Sequence, residues 1–392
     1  MIAKEKDLQD YTSNNFYVIA KTKDLQRAIS LAGSIVERKN IIAILSNIKL
    51  NSIDNFLKLT ATDMNLSVEQ EIGVQVKSHD KITVSSQVLG DIIKKITDEE
   101  VYLESIGDML QVRTQNCKFS LPIISANNFP NIDEINSKGE IEIPTKDLLQ
   151  ILEHTKFSMS NEETRYNLNG IFFSLNNEDN FLSAVSTDGH RLSLSSIKVN
   201  QNNNHFSLIL PKKTVNELVK IFKDSMFAEK NIKITFASNK IKFTCEKLIV
   251  TSKLIDASYP DYKGFIPLDN SNILTINSKI LAEAIDRVDI MTMEKLRAIK
   301  ISISNKYLEI QSNSDYKGEG RERIILGEQD NSHGHYQGEQ VTIGFNPKYL
   351  LDIFSSIQED EITIHLKDGL SPILIKIKSN PNCCFIVMPI RV

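Results

Sequence analysis

The strongest constraint on the fold is a pattern that recurs six times. Leu25, Ala28, Ile29 and Ala32 fall at i, i+3, i+4 and i+7, the spacing of one apolar stripe on a helix. The same spacing returns at Leu89, Ile92, Ile93 and Ile96, at Leu148, Ile151, Leu152 and Thr155, and at Val215, Leu218, Val219 and Phe222. It recurs again at Leu281, Ala284, Ile285 and Val288 and at Leu350, Ile353, Phe354 and Ile357. Successive stripes begin roughly 60 to 70 residues apart, which marks a structural repeat. A Thr, Ser or Pro suited to an N-cap or first turn enters each one: Thr22, Ser86, Thr145, Pro211, Ser278 and Pro347. Between stripes the period drops to two, as in Ile232 to Phe236 and Ile241 to Cys245 around Ser238-Asn239, so short half-buried strands in antiparallel hairpins are predicted. Each unit reads as one short helix followed by about three or four strands.

Two stretches interrupt the rhythm, 127–139 with Phe129-Pro130 and 257–272 with Tyr259-Pro260, and proline there ends strand pairing. Cutting at them leaves an N-terminal extension, 1–15, and three domains of two units each, 16–139, 140–272 and 273–392. One unit of this size cannot bury both faces of its sheet, so pairing units within a domain makes physical sense. The predicted fold class is α+β, three similar domains each built from two helix-plus-antiparallel-sheet units.

Composition narrows the function. With 41% apolar and 24% charged residues over 392, the chain reads as globular. It has no apolar run of membrane-spanning length and a polar start unlike a targeting peptide, so a cytoplasmic location is expected. Cys117, Cys245, Cys383 and Cys384 lack paired metal-ligand spacing; reduced thiols and no metal or cofactor are expected. Charge is unevenly divided: the six helical windows carry thirteen Lys and Arg against eight Asp and Glu, within a chain of net charge −4. A helix-lined basic surface facing a polyanion, inside an acidic exterior, accounts for that split.

Near the middle lies Ser186-Thr187-Asp188-Gly189-His190-Arg191-Leu192. Asp-Gly between alternating apolar runs is a hairpin signal, and a near-copy stands in Thr60-Ala61-Thr62-Asp63, with a fainter one at Ser314-Asp315. A catalytic loop has no reason to recur. The residues alone still leave a hydrolase open, with Asp188 and His190 as an acid–base pair, although no nucleophile or phosphate-binding motif accompanies them. A protein that holds DNA by contact alone also stays open. His333-Gly334-His335 reads as a solvated loop.

From about Phe16 to Val392 the chain resembles the bacterial sliding clamp family, the beta subunit of the replicative DNA polymerase III. The specific marks are Thr187 to Leu192, Phe157-Ser158-Met159, Arg165 to Gly170, Thr251 to Leu254, Tyr259 to Tyr262, Ile343 to Asn346 and Val387 to Val392. The resemblance implies a head-to-tail homodimeric ring with helices lining a hole for double-stranded DNA, a processivity factor without catalysis. It also implies partners that dock through short linear motifs: the polymerase catalytic subunit, the clamp loader, and repair and translesion polymerases.

Carried over residue by residue, the resemblance places Arg38, Lys39, Tyr166, Lys212 and Lys213 near DNA; Gln87 and Asn167 depart from the family's basic and second aromatic residues. For the ring seam it implies Lys118, Phe119 and Leu121 against Ile290 and Met291, with Glu319 and Glu322 at the rim. A partner-peptide pocket is implied at Arg165, Leu168, Thr187, Gly189, His190, Arg191, Leu192, Pro260, Phe265, Asn346, Tyr349, Pro372, Val387, Met388, Pro389, Ile390 and Arg391. Leu, Pro, Met and Phe suit an apolar cleft, and Arg and His suit orienting donors.

Overall fold

In the computed structural model the described residues are 15–37, 41–132, 134–176, 180–200, 205–293, 297–314, 316–327, 332–357 and 361–391. Among them six α-helices form: α1 (Thr22–Gly33), α2 (Ser86–Lys95), α3 (Thr145–Thr155), α4 (Lys212–Phe222), α5 (Ser278–Asp289) and α6 (Pro347–Ser356). Every stripe predicted above is buried except Ile92, which is half-buried. Capping differs from expectation: the side chains that accept first-turn N–H groups are Ser85, Asn277 and Asn346, one residue ahead of the expected Ser86, Ser278 and Pro347. Thr22 and Thr145 instead begin their helices, and each sends its hydroxyl to a loop carbonyl, of Asp98 and Lys230. A strand also runs into each helix, from Tyr17–Lys21 directly before α1 to Val341–Phe345, which reaches α6 through Asn346.

The chain divides into two compact units. The first comprises residues up to Glu142 with Ile232–Lys253. Its antiparallel sheet has thirteen strands, and a join between the fourth and fifth sets Leu248–Lys253 beside Leu66–Gly73. The second comprises Ile143–Asn231 with Leu254–Val392. It holds a nine-stranded sheet, in which Arg191–Lys198 lies beside Asn380–Val387, and a four-stranded sheet ending at Gly318–Ile325.

The two joins are equivalent. In each, the strand that leaves a Thr-Asp turn pairs with the last strand of the following domain. By the same rule Gly318–Ile325, which leaves the third turn, lacks a mate: among the described residues it pairs only with Tyr307–Ser314. Likewise residues 118–122 of Lys118–Ser125, the first domain's last strand, pair on one side only, with Met109–Arg113.

Candidate partner-docking site

The turn at Thr187 is built by its own side chains. Asp188 Oδ1 accepts the backbone N–H groups of His190 and Arg191, both at 3.0 Å. Thr187 Oγ1 donates to the Arg191 carbonyl at 2.7 Å and accepts from Gly189 N at 3.1 Å. Gly189 takes φ +90°, a conformation that disfavours a Cβ, and a Cβ there would stand 2.9 Å from the Arg165 guanidinium, which would have to move aside. The acid–base reading fails on this geometry. Asp188 meets His190 through the backbone, its other oxygen is taken by Arg191 Nε at 3.0 Å, and the imidazole stacks on Tyr349 with centroids 6.3 Å apart.

Arg191 reaches furthest. Besides Asp188 it donates to Asp352 Oδ2 on α6 at 2.7 Å and to the Phe157 carbonyl at 2.6 Å, and its guanidinium lies 4.6 Å over the Tyr349 ring. Its side chain is only 8% exposed. Three Arg191 donors are thus engaged within the chain, at a residue expected to offer donors to a ligand. Asp352 and Phe157 were missed, although Asp352 follows Tyr349 at i, i+3 on α6, a spacing that puts both on one helix face.

Beside the turn, Val185, Leu192, Leu374 and Ile386 form an apolar layer on which Phe172, Tyr259, Tyr262 and Ile266 pack. Tyr259 stacks on Phe172 at 5.0 Å, and burial pushes its phenol well above the ordinary tyrosine range. Of the predicted pocket residues, Leu168, Arg191, Leu192 and Val387 are buried and would form its floor. Thr187, Asn346, Tyr349, Pro372, Pro389 and Ile390 are half-buried, and Arg165, Gly189, His190, Pro260, Phe265, Met388 and Arg391 are exposed. Hydrogen bonds tie the C-terminal segment in: Met388 N donates to the His190 carbonyl at 2.9 Å, and Ile390 N to the Gly344 carbonyl at 2.9 Å. Phe265 at 66%, Leu370 at 75% and Met388 at 43% exposure leave apolar surface in the second unit uncovered. An apolar floor with exposed Arg and His at its edge suits an apolar peptide with a few orienting polar groups.

The remaining predicted residues fall elsewhere. Arg38 and Lys39 lie outside the described residues. Tyr166 is 59% exposed in the 3-10 stretch Glu163–Leu168, while Asn167 donates its amide to the Ser258 carbonyl at 3.4 Å. Lys212 and Lys213 open α4; burial, helped by the Arg191 charge, holds the Lys212 ammonium below its usual range, and its Nζ donates to Asn161. Gln87 is exposed at the start of α2, by a cleft of about 810 Å³ that α1 and α2 line with Lys23, Arg27 and Lys94.

At the predicted seam, Phe119 is 40% and Ile290 68% exposed, Lys118 and Glu319 are exposed, and Met291 is half-buried against Gly320. Leu121 is 2% exposed, because it packs into the core opposite Leu110; its place in an exposed seam is corrected. Glu322 already has a partner in its own chain, a two-bonded ion pair with Arg287 at 2.9 and 2.6 Å. All four cysteines are free thiols. Among the described residues no cluster suited to a metal occurs, and no helix is long and apolar enough to cross a membrane.

Three family signatures match successive parts of the chain. The signatures described as the N-terminal, central and C-terminal domains of the DNA polymerase III beta subunit match residues 16–133, 142–261 and 263–391. The beta sliding clamp of Rickettsia bellii is 43% identical over 378 residues, 96% of this chain and 99% of the relative. That of Caulobacter vibrioides is 32% identical over 374 residues, 94% of this chain and 98% of the relative. Among solved structures, a sliding clamp from Bartonella birtlesii bound to griselimycin superposes with TM-score 0.90 at 29% identity, covering 96% of this chain and 100% of the other.

Proposed function

Because the chain belongs to the DNA polymerase III beta subunit family, we propose that two copies close head to tail into a ring that encircles double-stranded DNA and slides along it. The observation that carries this reading is the unfinished repeat. Two joins of identical logic are made within the chain, and the two strand edges that a further join would use, Gly318–Ile325 and residues 118–122, are both open. Exposed edges of this kind are a liability unless something pairs with them. Pairing Gly318–Ile325 of one protomer with the partner's first domain satisfies both, and the same contact made twice closes a two-fold ring. Phe119, Ile290 and Met291 then supply apolar seam contacts, with Lys118, Glu319 and Glu322 at the rim.

A ring changes what DNA binding requires. Retention comes from topology, so the basic residues need only loose, sequence-independent phosphate contacts, and Arg38, Lys39, Tyr166, Lys212 and Lys213 serve in that way. The docking site beside Thr187 receives short motifs from the polymerase catalytic subunit, the clamp loader, and repair and translesion polymerases. The protein itself is a non-catalytic, cytoplasmic tether.

The test is retention after loading by the cognate loader. The protein is expected to remain on a nicked circle and to run off once the circle is linearised; retention that ignores free ends would establish contact binding instead. Sedimentation gives a second check: Ile290→Asp with Met291→Asp is expected to yield a folded monomer, and an intact dimer would remove the seam assignment.

A further inference from the structure

We infer that Arg191 is a positioning residue that preforms the docking site, and that it does not contact the docked partner. This rests on the docking reading above. Three of the five guanidinium N–H groups are spent on Asp188, Asp352 and the Phe157 carbonyl, and 8% exposure leaves little room for a ligand group to reach the others. Those three acceptors come from the hairpin turn, from α6 and from the 3-10 turn Lys156–Ser158 that follows α3. One planar cation thus fixes three elements to each other.

What it fixes includes the exposed wall of the site. The guanidinium lies 4.6 Å over Tyr349, and the same ring carries His190 stacked at 17°. His190 in turn holds Met388 through its carbonyl. Releasing Arg191 frees α6 to shift against the turn, which draws Tyr349 away from the His190 ring it stacks on, beside Met388. The site would then be competent for only part of the time, and apparent affinity would fall by that fraction. Lysine cannot replace the residue, since an ammonium has no planar fork to span three acceptors in fixed directions.

Kinetics separates positioning from contact. A lost contact speeds dissociation, whereas a lower competent fraction slows association and leaves dissociation unchanged. The experiment is stopped-flow binding of a fluorescein-labelled clamp-binding peptide from the replicative polymerase catalytic subunit to the full chain, as wild type, Arg191→Lys, Asp352→Asn and the double variant. Association is expected to slow about tenfold in each variant, with dissociation within about twofold of wild type. The double variant is expected to be no worse than the single ones, because both break one device. Faster dissociation in Arg191→Lys, or unchanged association in Asp352→Asn, would overturn the inference. If Arg191→Lys does not fold, Asp352→Asn, which retains the bonds to Asp188 and Phe157, decides by the same criterion. Failure of the wild type to bind the peptide overturns the docking reading itself, a separate result.

Discussion

The turns at Thr62 and Thr187 are the same object put to two uses. In both, the Asp side chain accepts two successive backbone N–H groups, of Asn65 and Leu66 in the first and of His190 and Arg191 in the second. In both, the Thr hydroxyl donates to the carbonyl four residues on and accepts from the residue after Asp, which has positive φ, +77° at Met64 and +90° at Gly189. In both, the next carbonyl receives an N–H from the end of the joined strand, Lys253 at Asn65 and Met388 at His190. The backbone work of the turn is therefore to finish a sheet join. The copies differ at each residue after Asp, Met64, Asn65 and Leu66 against Gly189, His190 and Arg191, and the last difference reaches furthest: Leu66 is a buried apolar residue, while Arg191 is a buried cation tied to Asp188, Asp352 and Phe157. The same backbone frame thus carries different side chains in the two turns, and the docking role proposed for the second rests on those side chains.

Making the second turn resemble the first should produce the largest effect. Arg191→Leu leaves the Asp188 and Asp352 carboxylates facing each other without their shared cation, and breaking a paired site of this kind costs about 3 kcal/mol, discounted for their partial exposure. Hydrogen exchange should rise across 186–192 and 346–352 together. Protection unchanged in α6 would mean that Arg191 does not join these elements. The pair Asp63→Ala and Asp188→Ala tests the shared frame. Each leaves two backbone N–H donors without the oxygen they share, a cost of about 1 to 2 kcal/mol, and Asp188→Ala also takes an acceptor from Arg191, which adds roughly 1 kcal/mol to the loss of those two bonds. Calorimetric unfolding reads both losses; an Asp188→Ala loss no larger than its two backbone bonds account for would deny the second turn its added role.

The six helices were legible because burial in a helix leaves a four-residue trace, and Leu148, Ile151, Leu152 and Thr155 all fall at 0% exposure. Antiparallel hairpins were legible for the same reason at period two. The cap positions slipped by one residue because Ser85-Ser86 and Asn277-Ser278 each offer two candidates, and backbone geometry chooses between them. Leu121 was misplaced because alternation says which face a residue takes but not how far along the strand the cover extends. The site was harder to see. His190 and Arg191 were visible as polar residues in a hairpin, yet the direction of Arg191 depends on Asp352, 161 residues away, and no local pattern announces that pair.

The smallest effect concerns the residue after Asp, where the two turns share a backbone but not a side chain. Met64 adopts φ +77°, a conformation that disfavours a Cβ, and it is 51% exposed, so its side chain returns little burial for that strain. Met64→Gly removes the strain at about 1 kcal/mol but adds freedom to the unfolded chain worth about 0.5 to 1 kcal/mol, leaving a gain of at most about 0.5 kcal/mol. Gly189→Ala runs the exchange the other way and should be the worse of the two reversals. It imposes the same backbone strain and also drives a methyl to 2.9 Å from the Arg165 guanidinium, which must move aside. The contrast separates the two demands on Gly189. If Gly189→Ala costs no more than the strain that Met64 already tolerates, Arg165 is free to leave the turn. If it costs more and also weakens peptide binding, the closeness of Arg165 is part of the docking surface.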